Sequence, residues 1–139
     1  MTLRLFTTGL SLFLLCLLLV GIPAPVYSDA DHPTVINLHP DGPQPKIVKV
    51  TEGTPVLWVS HLAPTNLVVV TLAFLEGQRV AQATTAVAGY NSFVLEGQHF
   101  VGRMEGSGGK VALRFIAPGE YTYTLDHHEH LTGTIVVQK

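Results

Sequence analysis

Cysteine is almost missing from this chain. The single one, Cys16, lies inside the apolar run "LSLFLLCLLLVG", Leu10 to Gly21. Residues 31–139 can therefore form no disulfide and offer no thiolate ligand, so their stability must come from an apolar core. Charge is also scarce, at 13% of residues. Leaving out residues 1–30 removes Arg4 and Asp29, and 7 basic residues then face 9 acidic ones. There is no basic run and no arginine cluster, which excludes nucleic acid as a partner. No amphipathic basic segment is present to lie on a membrane surface. After Ile22 no long apolar run occurs, and the first one is short for a span of about 20 residues.

That first run has its own reading. Arg4 precedes it, Pro23 and Pro25 follow, and Ser28 and Ala30 occupy the −3 and −1 positions of a cleavage site. A basic start, a short greasy middle and a small-residue exit make residues 1–30 a secretory signal peptide. Residues 31–139 are then one exported domain, periplasmic or secreted, with no membrane attachment unless the signal stays uncleaved. Cys16 is flanked by leucines rather than small residues, which argues against lipidation.

Helical signals nearly vanish after residue 30. "TVINLH", "KIVKV", "PVLWVS", "QHFVGRM", "KVALRFIA", "GEYTYTL" and "TGTIVVQK" read as strands separated by Gly- and Pro-containing turns. "NLVVVTLAF", Asn66 to Phe74, is apolar enough to predict a strand buried on both faces. "EGQ" at Glu76–Gln78 and "EGSGG" at Glu105–Gly109 read as turns, the second a flexible hairpin. "AQATTAVAGYNSFVL" fits one helical turn or an irregular crossover. About eight short strands with this punctuation predict an all-β sandwich or barrel of one domain. In "EYTYTL", Tyr121, Tyr123 and Leu125 share one face.

Two stretches are specific enough to carry a resemblance. "KIVKVTEGTPVLWVS" resembles the early strands of cupredoxins, where a V-x-x-G-x-x-V-x-W/F phrase leads toward a copper histidine. "IAPGEYTYTLDHHEHLTGTIVV" resembles their closing hairpin, PGxYxYxC, a ligand loop, then GxIxV. The resemblance implies a Greek-key β-sandwich, cupredoxin-like, of about eight strands. Carried over residue by residue, it puts Leu125 where the copper cysteine stands and His128 where the hairpin histidine stands. Leu131 takes the place of the axial methionine, and Asn66 that of the upstream histidine. One ligand of four is in register. A blue-copper centre needs a thiolate for its short copper–sulfur bond, which leucine cannot supply. The resemblance thus implies a degenerate member with no type 1 copper centre, in which Leu125 and Leu131 plug the vacated pocket.

Donors for another metal remain. His127, His128 and His130 offer imidazoles suited to Cu(II), Zn(II) or Ni(II), and Asp126 and Glu129 add carboxylates. In a cupredoxin sandwich the loop bearing His61 lies at the same end as the closing loop. The candidate metal set is therefore His61, His128 and His130, with His127 and Glu129 beside them and copper as the first choice. The competing reading is a solvated turn, since "HHEH" lacks the long-range partner spacing of zinc-finger sites. Met104 reads as core packing or as a soft Cu(I) donor. His39 and His99 read as structural or exposed. An amino-terminal Asp31-His32 would form a second Cu(II) chelate, or simply a frayed arm.

Enzyme signals are poor. "EGSGG" has neither the G-x-S-x-G spacing of a nucleophile elbow nor the Lys and hydroxyl order of a phosphate loop. The sequence is read as a non-enzymatic exported metal-binding protein. The alternative is a metal-free sandwich that serves as a binding or scaffold module for an envelope partner. Amino-terminal sequencing of the exported protein is expected to begin at Asp31, and an intact residue 1–30 segment in the envelope fraction would contradict the cleavage reading.

Overall fold

The computed structural model describes residues 32–65, 68–125 and 128–139, the side chains of residues 128–130 excepted. Residues 1–30, read from the sequence as a signal peptide, and Asn66, Asp126 and His127 lie outside the described residues. In chain order the elements are β1 (Thr34–His39), β2 (Gly42–Gln44), β3 (Ile47–Thr51), β4 (Pro55–His61), β5 (Val69–Phe74), α1 (Gly77–Gln82) and β6 (Thr84–Ala86). Then follow β7 (Val94–Glu96), β8 (His99–Glu105), β9 (Ser107–Phe115), β10 (Gly119–Leu125) and β11 (His128–Gln138). Eight of the eleven strands among the described residues have five or more residues, the count expected from the sequence. The other three, β2, β6 and β7, have three residues each.

The strands form two mixed sheets packed face to face, in the orders β2-β1-β4-β9-β6 and β3-β11-β10-β5-β8-β7. The chain crosses between the sheets repeatedly, giving the Greek-key sandwich. Two pairings are parallel, β1 with β4 and β3 with β11. Alternation assigns the inner face. Ile36 and Leu38 of β1, Val48 and Val50 of β3, Trp58 of β4, and Tyr121, Tyr123 and Leu125 of β10 all point into one core. At its centre Trp58 meets Phe74, Phe93 and Tyr123 with ring centroids 6.0, 6.0 and 5.6 Å away. Such edge-on and tilted contacts suit the ring quadrupoles.

Two sequence expectations are corrected here. The β5 strand is not buried on both faces: Val70, Leu72 and Phe74 are buried, whereas Val69 is exposed and Thr71 and Ala73 half-buried. β5 lies between antiparallel neighbours, and such a sheet need cover only its core side. The "EGQ" turn is the start of α1. Gly77 donates its N–H to the Gln98 carbonyl at 2.8 Å, and a Cβ there would collide with the backbone of Gln98 and His99. The glycine lets the helix start lie flat on the β7–β8 turn.

The closing hairpin is held at its lower end by Tyr121, whose hydroxyl donates to the Ala117 carbonyl at 2.8 Å. Arg79 of α1 lies 4.6 Å over the Tyr121 ring and donates to the Glu120 carbonyl at 2.9 Å. Tyr123 has no such outlet. Its hydroxyl and the Trp58 indole N–H are both buried and have no hydrogen-bond partner among the described residues. Burial pushes the Tyr123 phenol up to about 12; the nearby indole favours the phenolate, but no hydrogen-bond geometry is met and burial prevails.

A raised phenol pKa means the folded protein keeps a proton that the unfolded chain releases. Stability from this group is complete below about pH 10 and falls as pH rises toward about 12, by about 2–3 kcal/mol in all. Chemical denaturation across that range is expected to show the loss in the wild type, and Tyr123→Phe to show less of it. An unchanged alkaline slope in the variant would mean the hydroxyl is not sealed from water.

Candidate functional site at the open end of the sandwich

The chemistry-bearing residues gather where β4 leaves the sheet. Along β4 the side chains alternate, so Trp58 and Ser60 face the core while Val59 and His61 face outward. Ser60 is fully buried and donates its hydroxyl to the Gly106 carbonyl at 2.8 Å. The same carbonyl accepts the N–H groups of Leu62 and Ala63, each at 3.1 Å, and the Gly106 N–H donates to the Val68 carbonyl at 2.6 Å. Gly106 is thus a fixed hub that clamps both ends of the segment after β4. A Cβ on it would strike that of Ala63. The expectation of a flexible "EGSGG" hairpin is corrected: β8 and β9 lie in different sheets, so the stretch is a crossover rather than a hairpin, and these bonds from residues distant in sequence hold it.

Beneath the hub lies a partly open cavity of about 220 Å³, lined by Pro40, Leu62, Ala63, Val68, Val70, Leu125 and Leu131. Leu125 is 0% exposed and Leu131 6%, so both leucines are buried as expected, but they leave this cavity beside them rather than plug it. Among the described residues the lining offers no side-chain nitrogen, oxygen or sulfur to a metal. A type 1 copper centre does not fit these residues. The β10–β11 pairing runs in steady register from Gly119↔Val137 to Thr124↔Thr132, then shifts so that Leu125 pairs with His128. The shift carries the chain past the cavity and returns Leu131 to it.

His61 stands on the opposite side of the sheet from this cavity. Parallel pairing puts Leu38 beside Ser60, so the next residues, His39 and His61, are neighbours on the outer face. Their rings stack with centroids 5.1 Å apart and planes 13° from parallel. His61 Nε2 lies 3.1 Å from Asn37 Oδ1, the residue two before His39 on the same strand face. An amide oxygen only accepts, so this contact puts the His61 proton on Nε2 and leaves the Nδ1 lone pair free to bind.

The other candidates are placed as follows. The backbone of His128, Glu129 and His130 begins β11, and their side chains lie outside the description, as does all of His127. Met104 is buried in the core, which matches packing rather than access to a metal. His99 is exposed at the start of β8. Among the described residues, no group of three or more His, Cys, Asp or Glu side chains is placed to hold a metal. The sequence reading missed His39. Its partnership with His61 depends on parallel pairing of β1 with β4, which no local pattern reports.

No protein-family model and no curated protein matches the chain. Solved structures do match. A Cu(I) form of a methionine-to-alanine variant of amicyanin aligns with a TM-score of 0.54 and 20% identity over 80% of this chain and 87% of that one. Amicyanin from Paracoccus versutus aligns with a TM-score of 0.53 and 18% identity, over 82% and 86%. A reduced proline-to-phenylalanine variant gives 0.53 and 20%, over 84% and 96%. The fold is therefore of the cupredoxin type, and within that type it is similar to amicyanin in architecture.

Leu125→Ala enlarges the cavity without removing any donor. It is expected to cost about 2–5 kcal/mol of stability by chemical denaturation, while metal titrations stay unchanged. A change in metal affinity at constant fold would place a metal inside the sandwich and refute the outward-donor arrangement.

Proposed function

We propose that this chain is an exported cupredoxin-like protein that binds copper, or alternatively zinc or nickel, through histidines, and that it neither carries electrons as a blue-copper protein nor acts as an enzyme. One observation carries the reading: the described lining at this end, with Leu125 and Leu131 buried in it, is apolar, whereas His61 points outward at the end of β4. The stretch that follows β10 adds His127, His128, Glu129 and His130 in sequence. Neutral imidazoles bind borderline divalent ions without a thiolate. Loss of the sulfur removes the electronic basis of fast copper electron transfer but leaves affinity for storage, delivery or sensing. Export follows from residues 1–30, and no helix among the described residues is long and apolar enough to cross a membrane.

A second reading rests on the same cavity. Val68 and Val69 beside it are 48% and 56% exposed, and an apolar mouth with greasy neighbours suits a metal-free module that holds an envelope partner.

Titration of Cu(II), Zn(II) and Ni(II) into the 31–139 protein separates the two. Sub-micromolar binding that loses one equivalent of metal in His128→Ala/His130→Ala is the expected result, with release on acidification as protons compete for the imidazoles. The Cu(II) form should lack the intense band near about 600 nm that a copper–thiolate bond produces. Millimolar binding indifferent to the double substitution would leave the partner-binding module as the reading.

A further inference from the structure

We propose that His61 serves a different metal site from the closing-loop histidines: His39 and His61 on the outer face of the first sheet chelate one borderline divalent ion, with Asn37 as the residue that positions His61. The inference goes beyond the closing-loop reading and does not require it.

Three features of the structure support the assignment. First, the donors sit on adjacent parallel strands at matching rows, because Leu38 pairs with Ser60 one residue earlier. Strand spacing of about 4.8 Å holds the two Cα atoms at the separation that lets both rings reach one ion. Second, the imidazoles already meet, with centroids 5.1 Å apart, and His61 is exposed while His39 is half-buried. Metal–nitrogen bonds of about 2.0–2.1 Å bring two donor atoms to about 3 Å of each other, which rotation about the two Cβ–Cγ bonds can supply. Third, the Asn37 amide oxygen accepts from His61 Nε2 at 3.1 Å. A carbonyl on the far ring nitrogen is the partner that metal-ligating histidines commonly have, fixing the tautomer and raising the basicity of the donor nitrogen. Here it turns the Nδ1 lone pair out for the ion. The remaining coordination positions face solvent and take water, as suits Cu(II) or Zn(II).

The chemistry also discriminates. Two imidazoles and water favour Cu(II), Ni(II) and Zn(II) over Mg(II) and Ca(II), which take oxygen ligands. The site needs no cysteine, no methionine and no movement of the core. It is independent of the cavity that Leu125 and Leu131 line.

The test uses the 31–139 protein carrying His32→Ala throughout, which removes the amino-terminal chelate. In a variant that also carries His127→Ala, His128→Ala and His130→Ala, Cu(II) is expected to bind in a 1:1 ratio. The electron paramagnetic resonance spectrum should show hyperfine coupling to two equivalent imidazole nitrogens. Adding His39→Ala or His61→Ala should weaken that binding at least tenfold and leave coupling to one nitrogen at most, with the circular dichroism spectrum unchanged. Asn37→Ala should weaken it by about tenfold while keeping the two-nitrogen signature, a combination that a purely structural role for Asn37 would not give. Loss of all binding in the closing-loop variant would overturn this site and leave the closing-loop reading intact. Persistence of 1:1 binding there, with sensitivity to His39→Ala, supports this site and leaves the closing-loop reading to its own titration. Binding insensitive to both sets of substitutions would overturn both.

Discussion

Inside–outside alternation along β4 is the constraint on which the functional end of this molecule depends. Trp58 must enter the core, because it is the hub of the aromatic cluster and has no exposed surface. Two residues on, Ser60 must also point inward, and it does so with its hydroxyl bound to Gly106. His61 is then obliged to point out. A period of two leaves no other choice. The same rule on β1 buries Ile36 and Leu38 and turns Asn37 and His39 outward. The imidazoles on this sheet are outside because the tryptophan is inside.

The interior of that end follows a different logic. Where a metal pocket would need donors, the chain supplies leucine, valine, proline and alanine. An unpaired donor sealed in such a cavity would lose its hydration with nothing to replace it, so apolar lining is the stable alternative when no thiolate is encoded. A cavity persists there because the surrounding framework is fixed: Gly106 ties the segment after β4 to the β8–β9 turn, and the shifted β10–β11 register returns Leu131 to the cavity. The fold thus has the cupredoxin architecture with an apolar lining among the described residues at this end, while His39 and His61 lie on the outer face of the first sheet.

Much of this was legible from residues alone. The all-β sandwich and the inward face of "EYTYTL" follow from periodicity and turn residues, and the structure agrees with both. The replacement of the sulfur donor by Leu125 is a one-position fact that needs no coordinates. Three features were not legible. β5 is apolar on both faces in sequence, yet only one face is covered, since coverage depends on what the rest of the chain brings to it. "EGSGG" looks loose locally, but Gly106 is locked by Ser60, Leu62, Ala63 and Val68, all distant in sequence. His39 lies 22 positions before His61, and no spacing rule links the two.

The sequence by itself determined the class of fold, the absence of a thiolate and the set of groups able to bind a metal, because composition and short-range periodicity are properties of the chain. Tertiary structure alone decided which of those groups meet. Parallel pairing of β1 with β4 is a long-range choice, made by the packing of two whole sheets around Trp58, and it is this choice that brings His39, His61 and Asn37 to one place.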